Sequence, residues 1–218
     1  MEGRIHLVRH AESVHNIDKN FNRRDPELTH LGSQQAEILG RTFPYSDKVG
    51  VVITSPLRRT IQTTLLAFTN VLDKSYYDGG SGKGIDRGAE LVLDPDLQER
   101  SSFPCDTGSD RQALEVAFPT LDFSTLQPGW LSKEGFYSAD DNAVSHRAGK
   151  VRGQLSERIK ALKDGERRDA VVVTHGVFMK HLSGDPGIDL PKGGWESYTI
   201  NEDEEGGSVL VPVEVEDS

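Results

Sequence analysis

Cysteine is nearly absent from this chain. Cys105 is the only one among 218 residues, so no disulfide can form within the chain. No apolar run approaches the roughly 20 residues that a membrane helix needs, so we expect no membrane partner. Basic residues are also scarce, because 25 Lys and Arg face 35 Asp and Glu for a formal net charge of -10. That balance argues against nucleic acid as a partner.

The acidic excess is concentrated at the end of the chain. Residues 201–218 hold seven acids and no Lys or Arg, which leaves 28 acids against 25 bases elsewhere. We expect the tail to be solvated and the remaining chain to be able to form a basic pocket for an anion. The first predicted strand begins near residue 4 and leaves no room for a cleavable signal peptide, so we expect a cytoplasmic protein. The oligomeric state cannot be read from the sequence.

Strand and helix patterns alternate along the chain. Short β-branched or apolar runs predict four strands, at 5–8, 49–54, 91–93 and 169–174. Capping residues and apolar spacing predict helices from Thr29 to about Thr42, after Pro56, and from Asp140 to Leu162. In the first helix we expect Leu31, Ile38 and Leu39 to face inward. Two further β-like runs, at 195–200 and 209–215, end the pattern.

This alternation predicts one α/β domain over residues 1–218. We expect a three-layer sandwich, in which a mostly parallel central sheet carries helices on both faces. The stretch 101–139 is irregular and contains several prolines. We interpret it as an inserted, cap-like segment that covers one edge of the sheet.

Polar residues follow three of the predicted strands directly. Arg9 and His10 end the first strand, Ser55 follows the second, and His175 follows the strand at 169–174. Alone, Arg9 and His10 would be interpreted as solvated surface residues, and His175 could equally be a structural histidine at the end of a sheet. Ligands of such sheets bind beyond the carboxyl ends of the strands, where these groups converge. Imidazole can attack phosphorus and guanidinium can hold phosphate oxygens, so the convergence favours phosphate chemistry.

Two further candidates lie nearby in the pattern. Arg59 falls in the first turn of the helix after Pro56, where the positive helix start reinforces attraction of an anion. Glu99 follows the predicted strand at 91–93, which is the weakest of the four patterns, and can donate a proton to a leaving oxygen. In isolation, an ordinary surface charge would be the favoured interpretation of either residue. Gly176 permits a tight turn and the close approach of a ligand.

Three motifs, taken together, resemble the histidine phosphatase superfamily, also called the phosphoglycerate mutase-like family. They are Leu-Val-Arg-His-Ala-Glu-Ser-x-x-Asn at 7–16, Leu-Thr-x-x-Gly-x-x-Gln-Ala at 28–36 and Ser-Pro-x-x-Arg-x-x-Gln-Thr at 55–63. Glu99 and His175-Gly176 complete the pattern. The resemblance implies the sandwich fold and a phosphohistidine mechanism on a small phosphorylated substrate, without metal or cofactor.

The same resemblance implies a role for each site residue. His10 is then the nucleophile, and Glu99 is the proton donor. Arg9, Arg59 and His175 bind the phosphoryl group, and Asn16 is a further phosphate contact.

Rival functions remain open at this point. The segment after Glu99 does not look like a mutase sequence, and 101–139 shows no extra basic cluster for a second phosphate, so a phosphatase is favoured over a phosphoglycerate-type mutase. A silent binding protein on the same fold is the other alternative. Cys105 and Arg111 have the Cys-x5-Arg spacing of cysteine phosphatases, but Asp106 and Asp110 would repel phosphate there.

Overall fold

A single six-stranded sheet organises the computed structural model, which describes residues 3–213. Its spatial order is β3-β2-β4-β1-β5-β6, with β1 to β4 parallel and β5 and β6 antiparallel at one side. The sheet is therefore mostly parallel, as predicted. The strands are β1 Ile5–Arg9, β2 Val49–Thr54, β3 Glu90–Leu93, β4 Asp169–Thr174, β5 Trp195–Glu202 and β6 Ser208–Pro212.

Helices cover both faces of the sheet. They are α1 Val14–Asp18, α2 His30–Thr42, α3 Arg58–Ala67, α4 Arg111–Ala117, α5 Asp141–Leu162 and α6 Gly176–Ser183. One apolar core joins one face to α5 and α6 through residues such as Val151 and Phe178. The other core joins the opposite face to α2 and α3 through Leu39 and Ala67. The predicted three-layer sandwich is confirmed.

The predicted inward face of α2 is partly wrong. Leu39 is buried, but Leu31 and Ile38 are each 50% exposed. The helix contacts its neighbours through the small residues Gly32 and Ala36 together with Leu39, at spacings of three and four. Large apolar side chains on this helix therefore do not mark its packed side.

The stretch 101–139 is more regular than the sequence suggested. It contains α4 and two short 3-10 turns, Pro104–Asp106 and Gly135–Tyr137. Its apolar side chains form a third core with residues from α3 and β3, and Trp130 and Phe123 are buried within it. The segment is thus anchored beside the carboxyl ends of the strands. A cap-like role for it stays a prediction.

The acidic residues near the end of the chain fall into two groups, one at the turn between β5 and β6 and one after β6. Residues 202–205 lie exposed at the turn between β5 and β6. The predicted run 209–215 forms a strand only to Pro212, and its last two residues lie outside the described part of the chain, as do Glu216 and Asp217. Among residues 3–213, no helix combines the length and apolar character required to cross a membrane.

Candidate active site

Parallel strands bring the predicted residues to one edge of the sheet. The His10 amide donates to the carbonyl of Thr174 at 3.0 Å, and the Ser55 amide donates to that of Val173 at 3.1 Å. The hydrogen bonds between parallel strands thus continue one residue past the ends of β1 and β2, and they fix the backbone at His10 and Ser55. The rings of His10 and His175 lie 5.2 Å apart, centroid to centroid. The convergence expected from the sequence is therefore present.

His10 is held as a neutral base whose ring lone pair lies on Nε2. Its Nδ1 lies 2.7 Å from the carbonyl oxygen of Ala11, which can only accept, so Nδ1 carries the proton. Nε2 is then unprotonated, and Arg59 Nε donates to it at 3.3 Å. Burial, followed by the positive charges of Lys192 and Arg59, lowers the pKa of His10 well below its usual value. The geometry presents Nε2 as a nucleophile.

Arg59 is the buried centre of the site. It is the second residue of α3, and its side chain is only 1% exposed. Nη1 donates to the carbonyl of Cys105 at 2.7 Å. Nη2 donates to Asp106 Oδ1 at 2.9 Å and lies 3.0 Å from His175 Nδ1. These contacts fix the guanidinium beside His10.

His175 lies behind the arginine rather than on the cavity wall. Because Arg59 can only donate, His175 Nδ1 accepts, and Nε2 carries the proton that it donates to Ser55 Oγ at 2.9 Å. The ring is fully buried, and burial together with Arg59 and His10 lowers its pKa well below the usual value. Both nitrogens thus have protein partners. A direct contact of His175 with phosphate stays a prediction.

Arg9 is oriented by the loop that precedes β5. Its Nη1 donates to Asp189 Oδ1 at 2.8 Å and also to the carbonyl of Leu190. The guanidinium packs flat against Gly176, where a Cβ atom would lie 2.9 Å from Nη2. Gly176 is the first residue of α6, and only His175 separates it from the end of β4. The close approach that its missing side chain permits is made by Arg9.

Glu99 is anchored at the start of α6. Its carboxylate accepts the backbone N–H groups of Val177 at 3.1 Å and Phe178 at 2.9 Å. It also accepts the N–H of Arg100 at 2.8 Å. The side chain is almost buried and lines the same cavity as His10. The structure therefore brings Glu99 into the same cavity as His10 in a fixed orientation, and its role as proton donor stays a prediction.

A buried arginine that sequence reasoning missed supports the segment before Glu99. Arg147 Nη1 donates to the carbonyls of Gln98 at 2.9 Å and Asp96 at 3.3 Å. Burial lowers the pKa of Arg147 to about 10. One signal was available, because residue 147 falls on the apolar stripe of α5 three residues after Val144, where a charge is out of place.

Asn16 caps the short helix α1 and also lines the cavity. Its Oδ1 accepts the backbone N–H of Ser13 at 3.1 Å, and its Nδ2 lies 3.1 Å from His15 Nε2. His15 also lines the cavity and was not selected from the sequence. Burial and the charge of Arg59 lower the pKa of His15 to about 4. The contact of Asn16 with phosphate stays a prediction.

The cavity has a volume of about 460 Å³ and is more basic than the sequence suggested. Lys180 and Lys192 line it together with Arg9 and Arg59. Burial, then Arg9 and Arg59, lower the pKa of Lys192 to about 8. The basic groups come from α6 and the loop before β5, not from the stretch 101–139 on which the sequence argument rested. Neither lysine lies in a motif that could have marked it.

One group of potential metal ligands lies in this cavity. Ligand atoms of His15, Cys105 and Asp106 fall within 4.8 Å of one another. Both oxygens of Asp106 already accept hydrogen bonds, from Arg59 at 2.9 Å and from Ser101 at 2.6 Å. Burial and Asp106 raise the pKa of the Cys105 thiol to about 11. A cation bound here would have to displace the thiol proton and share the Asp106 carboxylate with Arg59 and Ser101.

The Cys-x5-Arg spacing does not form an anion-binding loop. Cys105 lies in a 3-10 turn, and Arg111 begins α4 and pairs with Glu115 at 2.6 Å. The carbonyl of Cys105, not its thiol, contacts Arg59. The cysteine phosphatase reading is therefore wrong.

Comparison with known proteins agrees with this geometry. The family model described as histidine phosphatase superfamily (branch 1) matches residues 5–73, which hold His10, Asn16 and Arg59. The chain is 28% identical to phosphoglycerate mutase-like protein 1 of Arabidopsis thaliana, over 81% of this chain and 69% of the relative. It is 26% identical to a protein of Schizosaccharomyces pombe described as a probable phosphatase, over 81% of this chain and 75% of that relative.

The fold has solved counterparts as well. A mycobacterial glucosyl-3-phosphoglycerate phosphatase, solved with VO3, superimposes with a TM-score of 0.57 at 17% identity. That match covers 96% of this chain and 98% of the other. At this identity the likeness concerns the fold alone, and it extends over the whole sheet and both helical layers. The family model over residues 5–73 and the curated relatives show that this chain is similar to the histidine phosphatase superfamily, and the solved structure shows a shared fold.

Proposed function

We propose that this protein is a phosphomonoesterase that hydrolyses a small phosphorylated substrate through a phosphohistidine at His10. The observation that carries the proposal is the lone pair of His10 Nε2, which lies 3.3 Å from Arg59 Nε in a basic cavity. A neutral imidazole with a fixed tautomer is a nucleophile, and the adjacent guanidinium can bind the phosphoryl oxygens.

The first step transfers the phosphoryl group to the enzyme. His10 Nε2 forms a bond to phosphorus while the bond from phosphorus to the leaving oxygen breaks. Glu99, in its protonated form, gives its proton to that oxygen, which contributes roughly 10²–10⁴ in rate for poor leaving groups. Arg9, Arg59 and Lys192 stabilise charge on the equatorial oxygens, which is most of what phosphoryl transfer requires.

The second step restores the enzyme. A water molecule attacks phosphorus, Glu99 takes one of its protons, and the bond from phosphorus to Nε2 breaks. Inorganic phosphate leaves, with His10 neutral again. His175 acts in this scheme by holding Arg59 through its Nδ1, and its own contact with the phosphoryl group is the family expectation.

The relatives support hydrolysis. The Schizosaccharomyces pombe relative is described as a probable phosphatase, and the solved counterpart is a glucosyl-3-phosphoglycerate phosphatase. We extend phosphomonoester hydrolysis to this chain and leave the identity of its own ester to be measured. A cytoplasmic location remains a proposal from the sequence.

Trapping the intermediate tests the proposal. After a rapid, acid-free quench with ³²P-labelled substrate, we expect label on His10 in the native protein. His10→Ala should lose essentially all turnover and all label while keeping its fold. His30→Ala, a change of an exposed histidine on α2, is the matched control and should label normally. Label on Cys105, or full activity of His10→Ala, would overturn the mechanism.

A further inference from the structure

Two phenylalanine side chains are exposed at the mouth of the cavity. Phe21 is 46% exposed and Phe103 is 56% exposed, although both are large and apolar. Their rings lie 5.8 Å apart with an angle of 28° between planes, and both line the cavity that holds His10. Apolar side chains grouped in a polar cavity mark a place for an apolar ligand group.

The two rings belong to a built surface, because their segments are tied together. The N–H of Cys105 donates to the carbonyl of Phe21 at 3.1 Å. The N–H of Asp25 donates to the carbonyl of Pro104 at 3.3 Å. Each phenylalanine is therefore held through the backbone, and neither ring is needed to fill a core.

The aromatic surface is continuous with the reaction centre. The ring of His15 lies 6.5 Å from the ring of His10 and 6.5 Å from the ring of Phe21. His15 thus joins the nucleophile to the pair of phenylalanines. Val177, which is 41% exposed, adds a further apolar group to the cavity wall.

The cavity therefore offers two kinds of chemistry. Arg9, Arg59 and Lys192 suit an anion, while Phe21 and Phe103 suit a flat apolar group that extends outward from it. In a phosphate monoester these two parts are the phosphoryl group and the leaving group. A second phosphate would gain little from two phenylalanine faces.

We propose that Phe21 and Phe103 bind the leaving group, and that the substrates are phosphate monoesters whose alcohol or phenol carries an aromatic ring. This inference rests on the proposed phosphatase activity and names its substrate class. Ring faces stack on or pack edge-to-face against other rings, and these contacts add to simple apolar burial. The two phenylalanines are specificity residues in this proposal and take no part in the bond changes.

Three alkyl phosphates with similar leaving groups test the proposal. They are propyl, 3-phenylpropyl and 3-cyclohexylpropyl phosphate, compared by kcat/KM. We expect the phenyl ester to exceed the propyl ester by about tenfold, and the cyclohexyl ester to fall between them. Equal values for all three would overturn the inference. A cyclohexyl ester that equals or exceeds the phenyl ester would overturn its aromatic part.

Variants of Phe21 and Phe103 test whether these side chains cause the preference for the phenyl ester over the propyl ester. Phe21→Ala and Phe103→Ala should each reduce the phenyl-to-propyl ratio to about threefold or less. Phe103→Leu keeps apolar bulk at the same place and should lose most of the preference too. Val116→Ala, at an 80% exposed position on α4, is the matched control and should keep the full ratio. An unchanged ratio in Phe103→Ala and Phe103→Leu would overturn the assignment.

Binding separates this inference from the proposed activity. Calorimetry with His10→Ala protein measures affinity for the phenyl and propyl esters without turnover. Tighter binding of the phenyl ester, with no hydrolysis of any ester by the native protein, would support the aromatic surface and refute the phosphatase. Hydrolysis of all esters without a binding preference would refute the aromatic surface alone.

Discussion

Asp106 Oδ1 accepts a hydrogen bond from Arg59 Nη2 at 2.9 Å, inside the cavity that is proposed to receive a phosphoryl group. The second carboxylate oxygen accepts from Ser101 Oγ at 2.6 Å. The carboxylate thus holds the guanidinium in place beside His10. It also places a negative charge where an anion is to bind, so orientation and repulsion have opposite effects on affinity.

The change Asp106→Asn separates these two effects. Asparagine keeps an oxygen that accepts from Arg59 but removes the charge. The repulsion between the Asp106 carboxylate and a phosphate ion bound beside it is roughly 1 kcal/mol. Without it, we expect inorganic phosphate to bind about fivefold more tightly, which is measured as competitive inhibition. Asp110→Asn, at the exposed N-cap of α4, is the control and should leave the inhibition constant unchanged. Weaker phosphate binding by Asp106→Asn would mean that orientation of Arg59 outweighs repulsion.

Replacement of Glu99 tests its role as the acid. The Val177 and Phe178 N–H groups bond to different oxygens of Glu99, so Glu99→Gln keeps an acceptor for only one of them, and the fold of the variant is checked by circular dichroism. We expect hydrolysis of alkyl phosphates to slow by roughly 10²–10⁴, with a much smaller loss for 4-nitrophenyl phosphate. Nitrophenolate leaves without a proton, so the acid matters less for that ester.

Comparing alkyl phosphates with 4-nitrophenyl phosphate also distinguishes the loss of a proton donor from a purely structural effect of the substitution. If Glu99→Gln slowed every ester equally, Glu99 would not be the proton donor. Glu115→Gln, on the exposed side of α4, provides a matched control that should change neither rate.

The pKa shifts predict the shape of the pH profile. The pKa of His10 is lowered, so the neutral nucleophile persists below pH 6.5 and activity falls only as pH drops through that lowered value. The pKa of Lys192 is lowered to about 8, so its positive charge is lost as pH rises through that value. We expect kcat/KM for 4-nitrophenyl phosphate to decline above about pH 8 for this reason.

Two lysine variants identify which side chain causes the decline of kcat/KM above about pH 8, called the alkaline limb of the profile. Lys192→Arg keeps a charge at every accessible pH and should extend the plateau to higher pH. Lys133, whose pKa burial also lowers to about 8, donates to the carbonyl of Glu99 at 3.1 Å rather than lining the cavity. Lys133→Arg should therefore leave the limb in place. The opposite pattern would assign the limb to Lys133.

The sequence could predict the parts of the site that local patterns mark. The runs at 49–54 and 169–174 give β2 and β4 with their observed ends, and the polar residue after each strand follows from them. Thr29 correctly marks the start of α2. These features depend on neighbouring residues, whose preferences are visible in the chain itself.

The remaining features depend on contacts between distant segments. Asp106 meets Arg59 across 47 positions, and Lys192 enters the cavity from a loop without a motif. Leu31 was wrongly expected to face inward, because large apolar side chains were assumed to mark the packed side of α2. The small residues Gly32 and Ala36 instead let the helix approach its neighbours closely. No local rule identifies such partners before the chain folds.

Hydrolysis rather than transfer between hydroxyls of phosphoglycerate is the last prediction. His10, Arg59 and Glu99 would serve both reactions, so the rest of the cavity decides. A mutase must retain a bisphosphorylated intermediate, which requires basic groups for two phosphates and exclusion of water. Lys180 and Lys192 line the cavity and favour retention more than the stretch 101–139 alone suggested.

Two carboxylates oppose that retention. Asp106 pairs with Arg59 at 2.9 Å, and Asp189 pairs with Arg9 at 2.8 Å, so both arginine charges are already offset. We therefore expect 3-phosphoglycerate, incubated with catalytic bisphosphoglycerate, to release inorganic phosphate faster than it forms 2-phosphoglycerate. Asp189→Asn, which removes one offsetting charge at an exposed position, should raise the share of transfer. Rapid interconversion by the native protein with little inorganic phosphate would show that the two lysines retain the intermediate, and the protein would then be a mutase.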